Sequence, residues 1–306
     1  MASRPEPPPA EGARSPTPLD RITDGAFRAL VATARAMPFE RRVPFMGRVA
    51  RLVAGPLAGY RRRALENLAL VWPDRPEAER RAIATACLDN FGRTLIENYS
   101  PDEFRRHLAR TEARGEGLSV LAEAVAARRP VIMVSGHFGN YEAPRHVLAR
   151  MGYSIAGLYK DMANPLFNRH YVRTLEAVSG PVFARSAKGN LGFVRYMARG
   201  GVAAILFDLH DEAGPAIPFL GRPARTATTA ADLALRFRAP LIPAWGIRLP
   251  DGLGFAIEVE APIPHTDPLA MMTDATRRLE ARIRAHPDQW FWVHRRWKAA
   301  PPPAGV

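Results

Sequence analysis

The chain has 306 residues, of which 47 % are hydrophobic and 24 % charged, and a formal net charge of +13. That length buries a full core, and the charge calls for an anionic partner: phospholipid headgroups, an acidic carrier protein or nucleic acid. The charge is spread along the chain without a helix-turn-helix, zinc-finger or aromatic-basic RNA signature, so nucleic acid has the least support and is not expected as a partner.

All but three of the 43 basic residues are arginine, a bias to which genomic base composition contributes. The single cysteine, Cys87, excludes an internal disulfide and a cysteine metal cluster. Its neighbours Ala84, Ala86 and Leu88 mark it as a core thiol. Proline and charged residues fill the first twenty positions and leave no secretory apolar core. No run reaches about 18 consecutive apolar residues, so no transmembrane helix is expected.

Residues 1–18 are rich in Pro, Ala, Ser and Glu and read as a disordered tail. A helical portion follows over 19–115. Phe27, Leu30, Val31 and Ala34 share one helical face. From Val43 to Tyr60, apolar Phe45, Met46, Val49, Leu52 and Val53 alternate with Arg48 and Arg51. That pattern fits either a membrane-surface helix, with Arg41 and Arg42 at its start, or an ordinary helix with a solvated face. Further helical runs cover 61–70, 76–90 and 91–98, punctuated by Trp72-Pro73-Asp74.

Beyond Gly117 helices and strands alternate through an α/β core at 116–298, with a second disordered tail at 299–306. Strands are expected at 131–135, 154–159, 182–184, 202–207, 241–247 and 254–259. Helices are expected at 118–127, 141–150, 165–178, 190–199, 226–237 and 267–285, the first of the later ones capped by Asn140 and the next opened by Pro165. A polar, Gly- and Pro-rich loop should fill the stretch from Asp208 to Arg225. The aromatic-basic stretch from Trp290 to Lys298 either closes the core or faces a membrane.

In an α/β sheet, sites gather at the carboxyl ends of strands. His137 and Glu142 follow the first core strand, Lys160 and Asp161 the second, and Asp208 a later one. Glu142 at a helix start favours the carboxylate form. Held to the imidazole, it leaves the other ring nitrogen as a base; the alternative is a surface loop with incidental charges. Asp208 reads as a cap or loop residue, or as part of the site. The segment Pro218–Thr226 runs into a helix start and offers an anion site with Arg222 and Arg225, which are otherwise solvated charges. There is no Gly-x-Ser-x-Gly elbow, zinc spacing, phosphate loop or dinucleotide turn. With a base and no protein nucleophile, the nucleophile should come from the substrate.

His137-Phe138-Gly139-Asn140-Tyr141-Glu142 is an HX4E motif of the kind found in glycerolipid acyltransferases. The surrounding blocks resemble the bacterial lipid A biosynthesis (lauroyl/myristoyl) acyltransferase family. They are Arg63 with Asn67-Leu68, Asn90-Phe91-Gly92 with Glu97, Tyr159-Lys160, Asn164-Pro165-Leu166, Phe219-Leu220-Gly221-Arg222-Pro223 with Thr226, and Pro287, Gln289-Trp290 and Trp292.

The resemblance implies a central mixed sheet flanked by helices, with the helical N-terminal portion attached. It implies acyl transfer from an acyl carrier protein thioester to a membrane lipid hydroxyl, on the cytoplasmic face of the inner membrane. An anionic membrane surface is a partner in that reading, and no cofactor is expected beyond the donor thioester. His137 would be the base and Glu142 its orienting carboxylate. Asn140, Lys160, Asn164, Asp208, Gly221, Arg222, Arg225 and Thr226 would bind substrate. Lys160 stands where the family commonly has Arg, Leu209 where Gln often follows the aspartate, and the N-terminal anchor frequent in the family is not evident. A lysophospholipid, aminolipid or glycolipid acceptor is compatible with the motif, as is a catalytically silent lipid-binding relative.

Overall fold

The computed structural model describes residues 14–298. Helix α1 (Pro18–Arg35) opens with a reciprocal cap in which Thr17 Oγ1 accepts from the Asp20 N–H and Asp20 Oδ2 accepts from the Thr17 N–H. Helix α2 (Phe39–Val49), a π-helical turn at Ala50–Ala54 and the short α3 (Gly55–Leu57) follow. Next come α4 (Tyr60–Val71), α5 (Glu77–Asn98) and α6 (Pro101–His107).

The α/β part runs β1 (Ala113–Arg114), α7 (Gly117–Ala126), β2 (Val131–Ser135), α8 (Ala143–Arg150), β3 (Ile155–Tyr159) and α9 (Pro165–Val178). It continues through β4 (Val182–Ala184), α10 (Ala187–Met197), β5 (Val202–Leu206), β6 (Ala216–Phe219) and β7 (Arg222–Arg225). The last elements are α11 (Thr229–Phe237), β8 (Leu241–Arg248), β9 (Phe255–Val259) and α12 (Pro268–Ala285).

Seven strands form one sheet in the order β1-β9-β8-β2-β5-β3-β4, and only the β8–β9 pair is antiparallel. This is the expected mixed α/β sheet with helices on its faces. Every residue of β2 and β8 is buried, as continuous apolar strands in the middle of a helix-covered sheet must be. The expected core strands all form, within a residue or two of their expected ends. Two small elements were not expected: β1, and the β6–β7 hairpin inside the stretch read as a loop. Pro218 and Pro223 face each other in that hairpin, a pairing open to proline because the hairpin is its own small sheet.

The basic run in α2 is a packed helix. Phe39, Val43 and Met46 are buried, and so is Arg42, which donates to Ser100 Oγ at 2.8 Å and to the Arg35 carbonyl at 2.9 Å. The helix closes tightly on α5, where a Cβ at Gly92 would lie 2.3 Å from the Met46 carbonyl oxygen. The aromatic tail also turns inward, with Trp290, Trp292 and Arg296 all buried. Asn67 on α4 pins it by donating to the Trp292 carbonyl at 2.6 Å and the His294 carbonyl at 2.7 Å. Among the described residues, no helix is long and apolar enough to cross a membrane.

Candidate functional site

Parallel pairing of β2 with β5 aligns Ser135 with Leu206, so the two strands run out side by side at His137 and Asp208. The His137 backbone N–H donates to Asp208 Oδ2 at 2.8 Å, and ring Nδ1 lies 2.7 Å from Oδ1. Trp290 Nε1 donates to the same Oδ2 at 2.9 Å. Burial pushes the Asp208 carboxyl up, but the His137 charge and these hydrogen bonds outweigh it and hold the group down at about 2. With Nδ1–H given to Asp208, a neutral His137 carries its lone pair on Nε2.

The loop after His137 is locked from behind. Gly139 has φ +56°, and a Cβ there would lie 1.9 Å from the Gly246 carbonyl oxygen, so only glycine lets the loop lie on β8. Asn140, fully buried, donates its N–H to that same carbonyl at 3.0 Å and its side-chain amide to Glu97 Oε2 at 2.8 Å. Glu97 in turn takes a two-pronged ion pair from Arg248, at 2.5 and 2.8 Å. Arg248 Nε also donates to Asn90 Oδ1 at 2.7 Å. Asn140 therefore ties the loop to α5 and β8. The expected cap is absent, because α8 begins at Ala143 and the Asn140 carbonyl amide oxygen accepts from the Glu142 N–H instead.

Glu142 does not meet His137. Its Oε2 accepts from Arg145 Nη1 at 2.6 Å, and Arg145 also holds the Ile155 and Ser179 carbonyls. The reason is geometric: Arg145 is three residues on along the same helical turn, whereas the neighbouring strand brings Asp208 to the imidazole. The carboxylate expected from Glu142 at the imidazole is thus Asp208, which was expected at a strand end as a substrate-binding residue rather than as the partner of His137.

A cavity of about 390 Å³ opens in front of His137. Glu142 and Tyr141 line it beside the histidine, α5 contributes Phe91 and Leu95, and α9 contributes Phe167 and Leu175. The Phe291 ring stacks on His137 with centroids 5.7 Å apart, and Tyr141 meets it edge-on at 5.3 Å. Cys87 reaches the same cavity, but burial pushes its thiol up to about 12, and Sγ rests on the Trp290 carbonyl, so it is no nucleophile.

The remaining expected substrate-binding residues do not line this cavity. Asn164 caps α9, accepting from the Leu166 N–H at 2.9 Å, and donates to the Asp20 carbonyl on α1. Lys160 is exposed just beyond β3. Gly221 makes the β6–β7 turn at φ +78°. Arg222 donates to the Leu70 carbonyl, and Arg225 to the Glu212 and Gly214 carbonyls. Thr226 is buried, bonding the Ala224 carbonyl and accepting from Arg296 Nη2 at 2.5 Å. It does not begin a helix; α11 starts at Thr229, so the expected anion site at a helix N-terminus is not built there. Of the residues missed in sequence, Arg248 carries no motif signal, while Glu97 and Trp290 belong to the matching blocks without an assigned role.

A mixed α/β sheet with a histidine–carboxylate pair at two strand ends, facing an aromatic-lined apolar cavity, is a layout suited to acid–base chemistry on an apolar substrate. The family model described as "Bacterial lipid A biosynthesis acyltransferase" matches residues 19–299, and the chain belongs to that family. It is similar to the "Lipid A biosynthesis lauroyltransferase" of Escherichia coli strain K12, at 28 % identity over 250 residues, 77 % of this chain and 78 % of the relative. It is also similar to the "Lipid A biosynthesis myristoyltransferase" of the same strain, at 25 % identity over 91 % of this chain and 88 % of the relative. A "Lipid A biosynthesis acyltransferase" of Haemophilus influenzae is 25 % identical over 79 % of both chains. The chain is accordingly an acyltransferase.

Proposed function

We propose that the enzyme moves a fatty acyl group from an acyl carrier protein thioester to a hydroxyl of a lipid A precursor, at the cytoplasmic face of the inner membrane and as a peripheral protein. The observation that carries this reading is the position of His137, with Nδ1 held by Asp208 and the ring lining the apolar cavity. In this reading Nε2 takes the proton from the acceptor hydroxyl as its oxygen attacks the thioester carbonyl. The tetrahedral intermediate collapses, the carbon–sulfur bond breaks, and the imidazolium returns the proton to the leaving thiolate. The buried Asp208 carboxylate fixes the ring and balances its transient charge. No acyl-enzyme is required, and the apolar walls hold the chain of the donor. Glu142 acts one step back, holding Arg145 and shaping the cavity beside the base.

The test is transfer of radiolabelled acyl groups from acyl carrier protein to a purified lipid A precursor. Transfer to the lipid is expected; release of free fatty acid alone would mean that water is the acceptor, and no turnover of either kind would mean a lipid-binding relative.

A further inference from the structure

Between Arg51 and Arg61 the chain carries no charge: Leu52-Val53-Ala54-Gly55-Pro56-Leu57-Ala58-Gly59-Tyr60. The π-helical turn and α3 present this stretch outward, with Leu52 at 66 %, Val53 at 52 % and Leu57 at 84 % exposure. Ala54, Pro56 and Ala58 are exposed as well. A core-facing helix would turn such residues in; here α2 has already spent its apolar face on α5.

The tip is held firmly from beneath. A Cβ at buried Gly55 would lie 2.7 Å from the Ala50 carbonyl oxygen and 2.8 Å from Leu88 Cδ1, so the wide turn packs directly on α5. Arginines flank it on both sides, with Arg48 and Arg61 exposed. It also connects to the site. Tyr60 lines the cavity, and its ring meets Phe91 at 6.4 Å, Phe91 meets Phe291 at 5.3 Å, and Phe291 meets His137 at 5.7 Å.

We infer that residues 52–58 form a wedge that enters the apolar layer of an anionic bilayer, with Arg48 and Arg61 at the headgroups, and so set the cavity mouth against the membrane. An uncharged apolar tip between cations fits lipid better than an acidic protein, whose docking would favour charge across the whole patch. The inference rests on the membrane-lipid acceptor of the proposed function, and it narrows the membrane contact from the whole basic run, in which Arg42 is buried, to the end of α2 at Arg48 and the turn after it.

Cys87 is buried, so Leu57→Cys in the full chain offers one reactive thiol for an environment-sensitive fluorophore. On vesicles of phosphatidylcholine mixed with phosphatidylglycerol, a blue shift is expected at position 57. None is expected at a Leu269→Cys control, an exposed position at the start of α12. Leu52→Ser with Leu57→Ser should weaken vesicle binding about 100-fold, roughly tenfold for each leucine. Arg48→Gln and Arg61→Gln should each weaken binding to anionic vesicles about fivefold and leave neutral vesicles unaffected. Both sets sit on the surface, and unchanged circular dichroism and unchanged turnover of a detergent-dispersed acceptor confirm that they fold. A label that stays water-like on vesicle-bound protein overturns the wedge, as does the serine variant binding like the parent. A blue shift without vesicles overturns it too, because the tip is then covered by a second copy. A blue shift on vesicles with no transfer to the dispersed acceptor leaves the wedge standing and instead refutes the acceptor reading.

Discussion

Asp208 and Glu142 are both buried carboxylates beside the cavity, yet they have different partners, and that difference can be measured. Asp208→Asn keeps the shape but offers His137 the wrong hydrogen-bonding group, so a loss of about 10²–10⁴ in kcat is expected in protein whose circular dichroism shows it folded. Glu142→Ala instead strands buried Arg145, and a destabilisation of about 3–5 kcal/mol is expected in denaturant titration. A Glu142 variant that folds normally but loses turnover as Asp208→Asn does would reassign the orienting carboxylate.

The Asp208 contribution to stability, with the carboxyl lowered from 3.8 to about 2, is present above about 3.8 and lost as pH falls through about 2. His146 acts at milder pH. It is buried against Phe104, and burial first, then the nearby Arg105 and Arg145 charges, lowers it from 6.5 to about 3. The unfolded chain then binds a proton that the folded chain refuses, so stability should fall with pH from about 6.5 toward 3. The slope for this group approaches about 1.4 kcal/mol per pH unit. His146→Leu should flatten that slope in melting curves between pH 7 and about 5; an unchanged slope would locate the acid sensitivity elsewhere, with the half-buried His294, lowered to about 4 chiefly by burial, the next histidine to test.

At the scale of elements, the site is held by what lies behind it. Asn67 anchors the tail that carries Trp290 and Phe291 onto His137 and Asp208. Asn67→Ala removes two hydrogen bonds to buried carbonyls, so about 1–3 kcal/mol should be lost, together with part of kcat as Phe291 loosens. Full activity in a destabilised Asn67→Ala protein would show that the tail position does not matter to the base.

The elements themselves were legible in sequence because their signals are local: the apolar run Val131–Val134 and Pro165 opening a helix. The β6–β7 hairpin was not, since Gly214, Pro215, Pro218, Gly221 and Pro223 read as loop, and only the antiparallel pairing of the two halves makes strands of them. The same limit applied at the site. His137 stands out from its motif, but its partner comes from a strand some seventy residues away, and a sequence spacing favours the nearer Glu142. The arginines 222 and 225 looked like ligands because charge is visible in sequence, whereas the backbone carbonyls that occupy them are not.

Across the whole molecule, the +13 charge bears on association more than on fold. With an acidic carrier protein as donor, kcat/KM should fall as salt rises across about one Debye length of screening, while acyl-CoA should show a weaker dependence. Equal, salt-insensitive use of both donors would separate the charge from donor choice. In the proposed function His137, oriented across the sheet by Asp208, activates the acceptor hydroxyl. Single-turnover transfer from acyl carrier protein to a lipid A precursor by folded His137→Ala tests it most directly. A loss of about 10²–10⁴ in the transfer rate is expected, with donor binding unchanged; a His137→Ala protein with native circular dichroism that transfers at the parent rate would contradict it.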